Sequence, residues 1–207
     1  MKDVILAHGL WVPGWVMRPL AARLERAGFR CHIFSFLGTL RPMAEHVERL
    51  AQMARGIGRA HFVGHSLGGL LLLQMLMRHA EIAVGRAVLL GTPACGSFAG
   101  RRIARYRAGR WIFGHSTSFW DEVPVARWTR PEPLGVIAGS FPLGLGRLFG
   151  RLPGMNDGAV CVNETAVEGM AARVVLPVGH SAMLVSAAVA AQVAAFLADG
   201  EFLAATR

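Results

Sequence analysis

His61-Phe62-Val63-Gly64-His65-Ser66-Leu67-Gly68-Gly69 is the stretch on which the fold turns. An apolar run of strand length, residues 60–64, leads into a Gly-x-Ser-x-Gly turn, and an apolar helical pattern over residues 67–80 leads out of it. A sharp strand-to-helix turn strains the serine backbone, and only small residues at Gly64 and Gly68 relieve the crowding around it. The serine hydroxyl is then presented at a helix N-terminus, whose partial positive charge stabilises developing negative charge. The chain carries its own control, because Gly-His-Ser occurs three times. Gly114-His115-Ser116 has no apolar strand before it, and Gly179-His180-Ser181 has no glycine two residues after its serine. Only Ser66 satisfies the whole pattern.

Working outward from this turn, runs rich in Val, Ile, Leu or Phe alternate with helical periodicity. Strands are predicted over residues 3–8, 30–36, 60–64, 84–90, 134–139 and 172–178, and helices near 15–27, 42–55, 67–80 and 182–198. That alternation predicts an α/β chain with a mainly parallel sheet of about six strands and helices on its faces. Gly28 suits a left-handed helix end, and Pro42 the first turn of the second helix. Pro177 requires the sixth strand to be an edge strand or to stop there. Two stretches break the rhythm: a basic, aromatic insertion at about 95–131 and a Gly- and Pro-rich excursion at 140–158. No repeat or linker divides the 207 residues, so one domain is expected.

Composition narrows the classes further. The chain is 53% hydrophobic and 17% charged, too apolar for a disordered protein. No apolar run approaches the ~18 residues needed to span a bilayer. Met1 runs almost directly into the first predicted strand, with no leader pattern, so a cytoplasmic location is expected. Cys31, Cys95 and Cys161 are odd in number and widely spaced, which suits neither a disulfide framework nor a metal site. The net charge of +9 comes almost wholly from scattered arginines, clustered only at 101–110, with no nucleic-acid-binding motif beside them. No nucleic-acid partner, metal or cofactor is therefore expected.

An activated serine needs a base to take its proton and an acid to hold that base in the right tautomer. Of the eight histidines, His8, His32 and His61 belong to strands or their exits, and His46 and His79 to helices. His65 abuts Ser66 and cannot easily turn back onto it, while His115 lies in the insertion. His180 follows the last strand, on the sheet edge where Ser66 must emerge, and is the best candidate. Glu81, Asp121, Glu122, Glu132, Asp157, Glu164 and Glu168 lie between the two. Asp157, in Asn156-Asp157-Gly158-Ala159-Val160, is preferred, with Glu164 in reserve. Two backbone donors for an oxyanion are expected from Leu67 N–H and from Leu10 N–H in the loop His8-Gly9-Leu10-Trp11. His8 itself reads as a side chain bracing that loop.

Taken together, His8-Gly9-Leu10, Gly64-His65-Ser66-Leu67-Gly68-Gly69, Asn156-Asp157-Gly158-Ala159-Val160 and Gly179-His180 resemble the small bacterial α/β-hydrolases of the esterase and lipase type. Leu90-Gly91-Thr92-Pro93 is similar to the segment after the corresponding strand in that group. The resemblance implies a minimal α/β-hydrolase fold with a short cap at about 95–131. It also implies Ser66, Asp157 and His180 as a triad, with Leu10 and Leu67 as oxyanion donors. The expected activity is ester hydrolysis through an acyl-enzyme. Thioesterase, acyltransferase or amidase chemistry would use the same residues, and a non-catalytic binding protein is a further alternative. Trp11, Trp15, Trp111, Phe113, Trp120 and Phe141 are candidates for the mouth of an apolar substrate site. The basic, aromatic insertion is expected either to act as a flap that meets anionic lipid surfaces or negatively charged substrates, or to form a solvated helix packed by one apolar edge.

Overall fold

A computed structural model describes residues 2–10, 12–37, 41–98, 127–142 and 152–204. Six strands form one sheet: β1 (Lys2–Ala7), β2 (Phe29–Phe34), β3 (Ala60–His65), β4 (Val84–Leu90), β5 (Leu134–Gly139) and β6 (Ala172–Leu176). Their order is β2-β1-β3-β4-β5-β6, and every neighbouring pair is parallel. The helices are α1 (Arg18–Arg26), α2 (Met43–Ile57), α3 (Leu67–Arg78) and α4 (Ala187–Asp199).

Both faces of the sheet are covered, and the strands alternate between the two cores with the period of two that a pleated strand imposes. On one face Ile5, Ala7, Phe62, Leu89 and Val136 pack with α2 and α3. On the other Val4, Leu6, Val63, Val88, Leu90 and Ile137 pack with α1 and α4. Helix α3 is buried along nearly its whole length, which explains why Leu70 to Leu73 and Met75 show no polar face.

The predicted boundaries shift where backbone chemistry intervenes. The first helix begins as a 3-10 turn over Gly14–Met17 before α1 takes over with Pro19 in its first turn. Pro42 is the N-cap of α2, with extended ψ, and not a residue of its first turn. The last predicted helix divides into a 3-10 turn, Ser181–Leu184, and α4, because Ser186 breaks away to accept a hydrogen bond from Val189 N–H. Such a cap contributes about 1 kcal/mol. Strand β6 is an edge strand and ends just before Pro177, so both outcomes that proline allows are realised.

The insertion is anchored at both ends. Cys95 N–H donates to Glu164 O and Phe98 N–H to the Glu164 carboxylate. Trp128, at the far end, is core: its N–H donates to Glu168 O and its indole N–H to Glu132 O. Arg130 then caps the C-terminus of α3, donating to the carbonyls of Leu76, His79, Ala80 and Ile82. The flap expected between these anchors lies outside the described residues, as do residues 143–151 of the 140–158 excursion.

The strand order places β1 and β3 side by side while their connections leave in opposite directions, so a crevice opens at the C-terminal ends of this pair. Ala7 pairs with Gly64, which sets the His8-Gly9 loop beside His65-Ser66. The approach of α3 to β3 is equally close: a Cβ on Gly64 would stand 2.5 Å from Gly69 Cα and 2.7 Å from its N. Gly64→Ala should therefore destabilise the protein by at least the ~1–3 kcal/mol of an overpacked core. Thermal unfolding should show a fall in Tm of roughly 5–10 °C; an unchanged Tm would mean the elbow has room to spare.

Candidate active site

Ser66 is the only non-glycine residue with positive φ among the described residues, at φ 54° and ψ −122°. A left-handed backbone of this kind costs on the order of 1–3 kcal/mol and persists only where surrounding structure fixes it. Here Ser66 N–H donates to Leu90 O at 2.9 Å and Ser66 O accepts from Gly69 N–H at 3.0 Å. Leu67 N–H opens α3, where first-turn donors have no partner within the helix.

Asp157 and His180 come together. The His180 ring donates from Nδ1 to Asp157 Oδ2 at 2.7 Å, and His180 N–H donates to Asp157 O at 2.9 Å. Asp157 is 1% exposed, and its other oxygen, Oδ1, accepts from Ala159 N–H at 2.9 Å and Val160 N–H at 2.7 Å. Backbone donors on one oxygen and an imidazole on the other satisfy a buried carboxylate without a cation. With Nδ1 engaged as donor, Nε2 is left as the basic nitrogen of His180. Although Asp157 lies far beyond β5 in sequence, the chain returns it to the end of that strand. A Cβ on Gly139 would stand 2.7 Å from Asp157 Cβ, and one on Gly91 would stand 3.0 Å from Asp157 Oδ2 and 3.1 Å from His180 Nδ1.

Glu164, the reserve acid, is placed elsewhere. Its carboxylate accepts from Cys161 N–H at 2.8 Å and from Phe98 N–H, and its carbonyl from Cys95 N–H at 2.9 Å. It clamps the root of the insertion to the loop that carries Asp157, and sequence spacing alone held no signal of this.

His65 has a role that adjacency to Ser66 concealed. Its Nε2 donates to His180 O at 3.0 Å, and its ring lies against the His180 ring with centroids 4.7 Å apart. It thus ties the base-bearing loop to the serine turn. Burial drives its pKa down to about 3, helped by the neighbouring His180, so the ring stays neutral. His8 braces the next loop. Phe36 N–H donates to His8 Nε2 at 3.1 Å, so Nδ1 carries the proton and donates to Gly9 O at 2.7 Å. Burial also lowers the His8 pKa, which preserves this tautomer. The Gly9–Leu10 peptide is trans, so fixing Gly9 O on the His8 ring turns Leu10 N–H to the opposite side. Gly9 faces Ser66 closely: a Cβ there would stand 3.2 Å from Ser66 Cβ and 3.1 Å from His65 Nδ1.

Of the expected mouth residues, Trp15, in the 3-10 turn Gly14–Met17 after β1, is 71% exposed, and Phe141, just past β5, is 51% exposed. Trp11, Trp111, Phe113 and Trp120 lie outside the described residues. Among the described residues no cluster of His, Cys, Asp and Glu could hold a metal, and no helix is long and apolar enough to cross a membrane.

A doubly covered parallel sheet, with a strained serine between its third strand and the following helix and an Asp–His pair at the same edge, defines an α/β-hydrolase architecture. The sequence profile of the alpha/beta hydrolase family matches residues 4–139, and the chain belongs to that family. Among solved structures it is similar to the lipase BlEst2 of Bacillus licheniformis in mature form, at 20% identity and a TM-score of 0.67, covering 88% of this chain and 86% of that one. It is also similar to the pyrethroid hydrolase PytH, at 16% identity and a TM-score of 0.71, over 97% and 98% of the two chains. A third is the meta-cleavage product hydrolase CumD of Pseudomonas fluorescens IP01, at 16% identity and a TM-score of 0.57, over 88% and 85%. No curated protein sequence matches significantly.

Neutral buried imidazoles make the site's surroundings sensitive to acid. The folded pKa values of His8 and His65 lie below the unfolded value, so the unfolded chain binds more protons as pH falls below ~6.5. Stability present at neutral pH should then be lost progressively toward the folded pKa of His65, about 3, at up to about 1.4 kcal/mol per pH unit for each such group. Urea midpoints at pH 7 and pH 5 check this; equal midpoints would contradict buried neutral rings.

Proposed function

We propose that the protein is a serine hydrolase that cleaves carboxylic esters through an acyl-enzyme on Ser66. The observation that carries this reading is the Asp157–His180 hydrogen bond of 2.7 Å, held against the turn that presents the strained Ser66. His180 Nε2 takes the Ser66 proton as the hydroxyl oxygen attacks the ester carbonyl carbon. The Asp157 carboxylate holds Nδ1–H and stabilises the imidazolium that forms. The tetrahedral oxyanion is met by Leu67 N–H at the start of α3 and by Leu10 N–H. Collapse expels the alcohol, which leaves with the proton from His180. Water, deprotonated by the same imidazole, then releases the acid and restores Ser66.

The Leu10 donor and the base are positioned by neutral rings. His8 holds the Gly9–Leu10 peptide and His65 holds the His180 carbonyl, so neither needs to move during the reaction. Preorganisation of this kind lets the fixed donors act fully on charge that appears only in the transition state. An ester suits the exposed aromatic side chains, Trp15 and Phe141, at the same sheet edge.

Fluorophosphonate labelling and hydrolysis of a chromogenic ester series of rising acyl length test the reading together. Ser66→Ala should abolish labelling and lower turnover by roughly 10⁶-fold while leaving the unfolding transition intact. Asp157→Asn should lower kcat by about 10⁴-fold, since the imidazole would lose the partner that fixes its tautomer. Glu164→Gln should cost stability and leave most of the turnover. Persistent labelling of the Ser66→Ala protein, or wild-type turnover in Asp157→Asn, would remove the assignment.

A further inference from the structure

On the edge of the sheet opposite Ser66, the N-terminal ends of β1, β3, β4 and β5 enclose a cleft of about 620 Å³. Its walls carry Lys2, Arg59 and Arg86, and His61 lies on its floor. A volume of this size falls within the ~300–1,000 Å³ of small-molecule sites. We propose that this cleft binds a phosphate group, either the free ion or one carried by a small organic molecule.

The first support is an unmet hydrogen-bonding demand. His61 is 6% exposed, yet its Nδ1 is buried with no partner and the ring makes no hydrogen bond to any described residue. Nearly all buried polar side-chain atoms in folded proteins are paired. Nδ1 is closed off against Gly85, so Nε2, likewise without a hydrogen-bond partner among the described residues, is the ring nitrogen left for a ligand. The fold makes room for it deliberately: a Cβ on Gly85 would stand 2.8 Å from both Cε1 and Nδ1 of the imidazole. The edge of the ring meets Phe29, with centroids 5.9 Å apart at 88°.

The second support is charge. Lys2 and Arg59 have no hydrogen-bond or ion-pair partner among the described residues. Arg86 uses one guanidinium nitrogen to cap α4, donating to Leu197 O and Ala198 O at 2.8 Å each, and its buried Nε is unpaired. Two carboxylates also line the cleft, but both are engaged: Asp3 with His32 at 2.7 Å and Arg30 at 3.7 Å, Glu132 with Arg130 at 3.1 Å. Burial, and then the positive charges of Arg86, Lys2 and Arg59, hold the His61 pKa down to about 4. Those three cations therefore act on one point. A guanidinium, an ammonium and an imidazole arriving from different strands suit a tetrahedral oxyanion, which accepts from several directions, better than a planar carboxylate.

The full chain titrated with inorganic phosphate at constant ionic strength, followed by ³¹P linewidth and by thermal unfolding, tests the site. Wild type should bind saturably. Arg59→Gln should weaken binding about tenfold, as loss of a charge-assisted bond does, and adding Lys2→Gln should weaken it further. Both side chains lie at strand ends, so these variants should keep the wild-type unfolding transition. His61→Phe, which retains the packing on Phe29, should also bind poorly, and Ser66→Ala should bind as wild type does. AMP serves as the second ligand: equal affinity assigns the site to the free ion, and tighter binding assigns it to a phosphomonoester whose organic part fills the cleft. Absence of saturable binding at concentrations on the order of 10 mM, or binding unaffected in the Arg59→Gln, Lys2→Gln protein, overturns the proposal.

Discussion

The left-handed backbone at Ser66 is the constraint from which the rest of the site follows. A residue other than glycine holds φ 54° here because its N–H is bound to the end of β4 and its carbonyl receives Gly69 N–H. For the turn to close this tightly, α3 must lie almost in contact with β3 and with the exit of β1. Only glycine at 64, 68 and 69 permits that approach: side chains there would meet Gly69, the carbonyls of Ala7 and His8, and Thr92. The same closeness sets Gly9 against Ser66, so strain, packing and site geometry are one arrangement.

Around this turn the structure relies on neutral imidazoles. His8 locks the β1 exit loop and His65 locks the loop of His180, each by a protonated ring nitrogen that donates to a backbone carbonyl; the second nitrogen of His8 accepts from Phe36 N–H. Burial makes that arrangement durable at neutral pH, because desolvation of a charged ring in either position outweighs the interactions that would favour it. Asp157 solves the opposite problem: a buried carboxylate stabilised by two backbone N–H groups and one imidazole. Loops that would otherwise be free to drift are fixed by side chains that belong to neighbouring strands.

The two edges of the sheet are built differently. The C-terminal edge holds the serine, the Asp–His pair and exposed aromatics, while the N-terminal edge holds a recess in which unpaired cations face a buried histidine. A single strand, β3, runs from His61 in the recess to His65 beside the serine, and both histidines are held neutral by burial. Nε2 of His65 donates to the His180 carbonyl, whereas His61 makes no hydrogen bond to any described residue; Nδ1 of both rings is buried without a partner among the described residues.

What the sequence determined by itself is the set of features encoded in short range. Hydrophobic runs of strand length, the serine turn with its flanking glycines, Gly28 past the first helix and Pro177 at the end of β6 are legible because each depends on local backbone geometry. The choice of Ser66 over Ser116 and Ser181 was of this kind; among the described residues only Ser66 combines a non-glycine side chain with a positive φ, and Ser116 lies outside them. Tertiary structure decided what depends on return of the chain. Asp157 is the preferred acid in sequence but lies remote from β5 there, and its pairing with His180 is seen only once Asp157 stands against Gly139 at the end of that strand. Glu164 carries equal charge at a similar distance along the chain, yet its backbone contacts commit it to clamping the insertion. Lys2, Arg59, His61 and Arg86 have no shared spacing, since a parallel sheet gathers strand ends that are far apart in sequence. Local propensity fixes each element, whereas the grouping of charges and hydrogen bonds is set by strand order, which no short stretch of sequence contains.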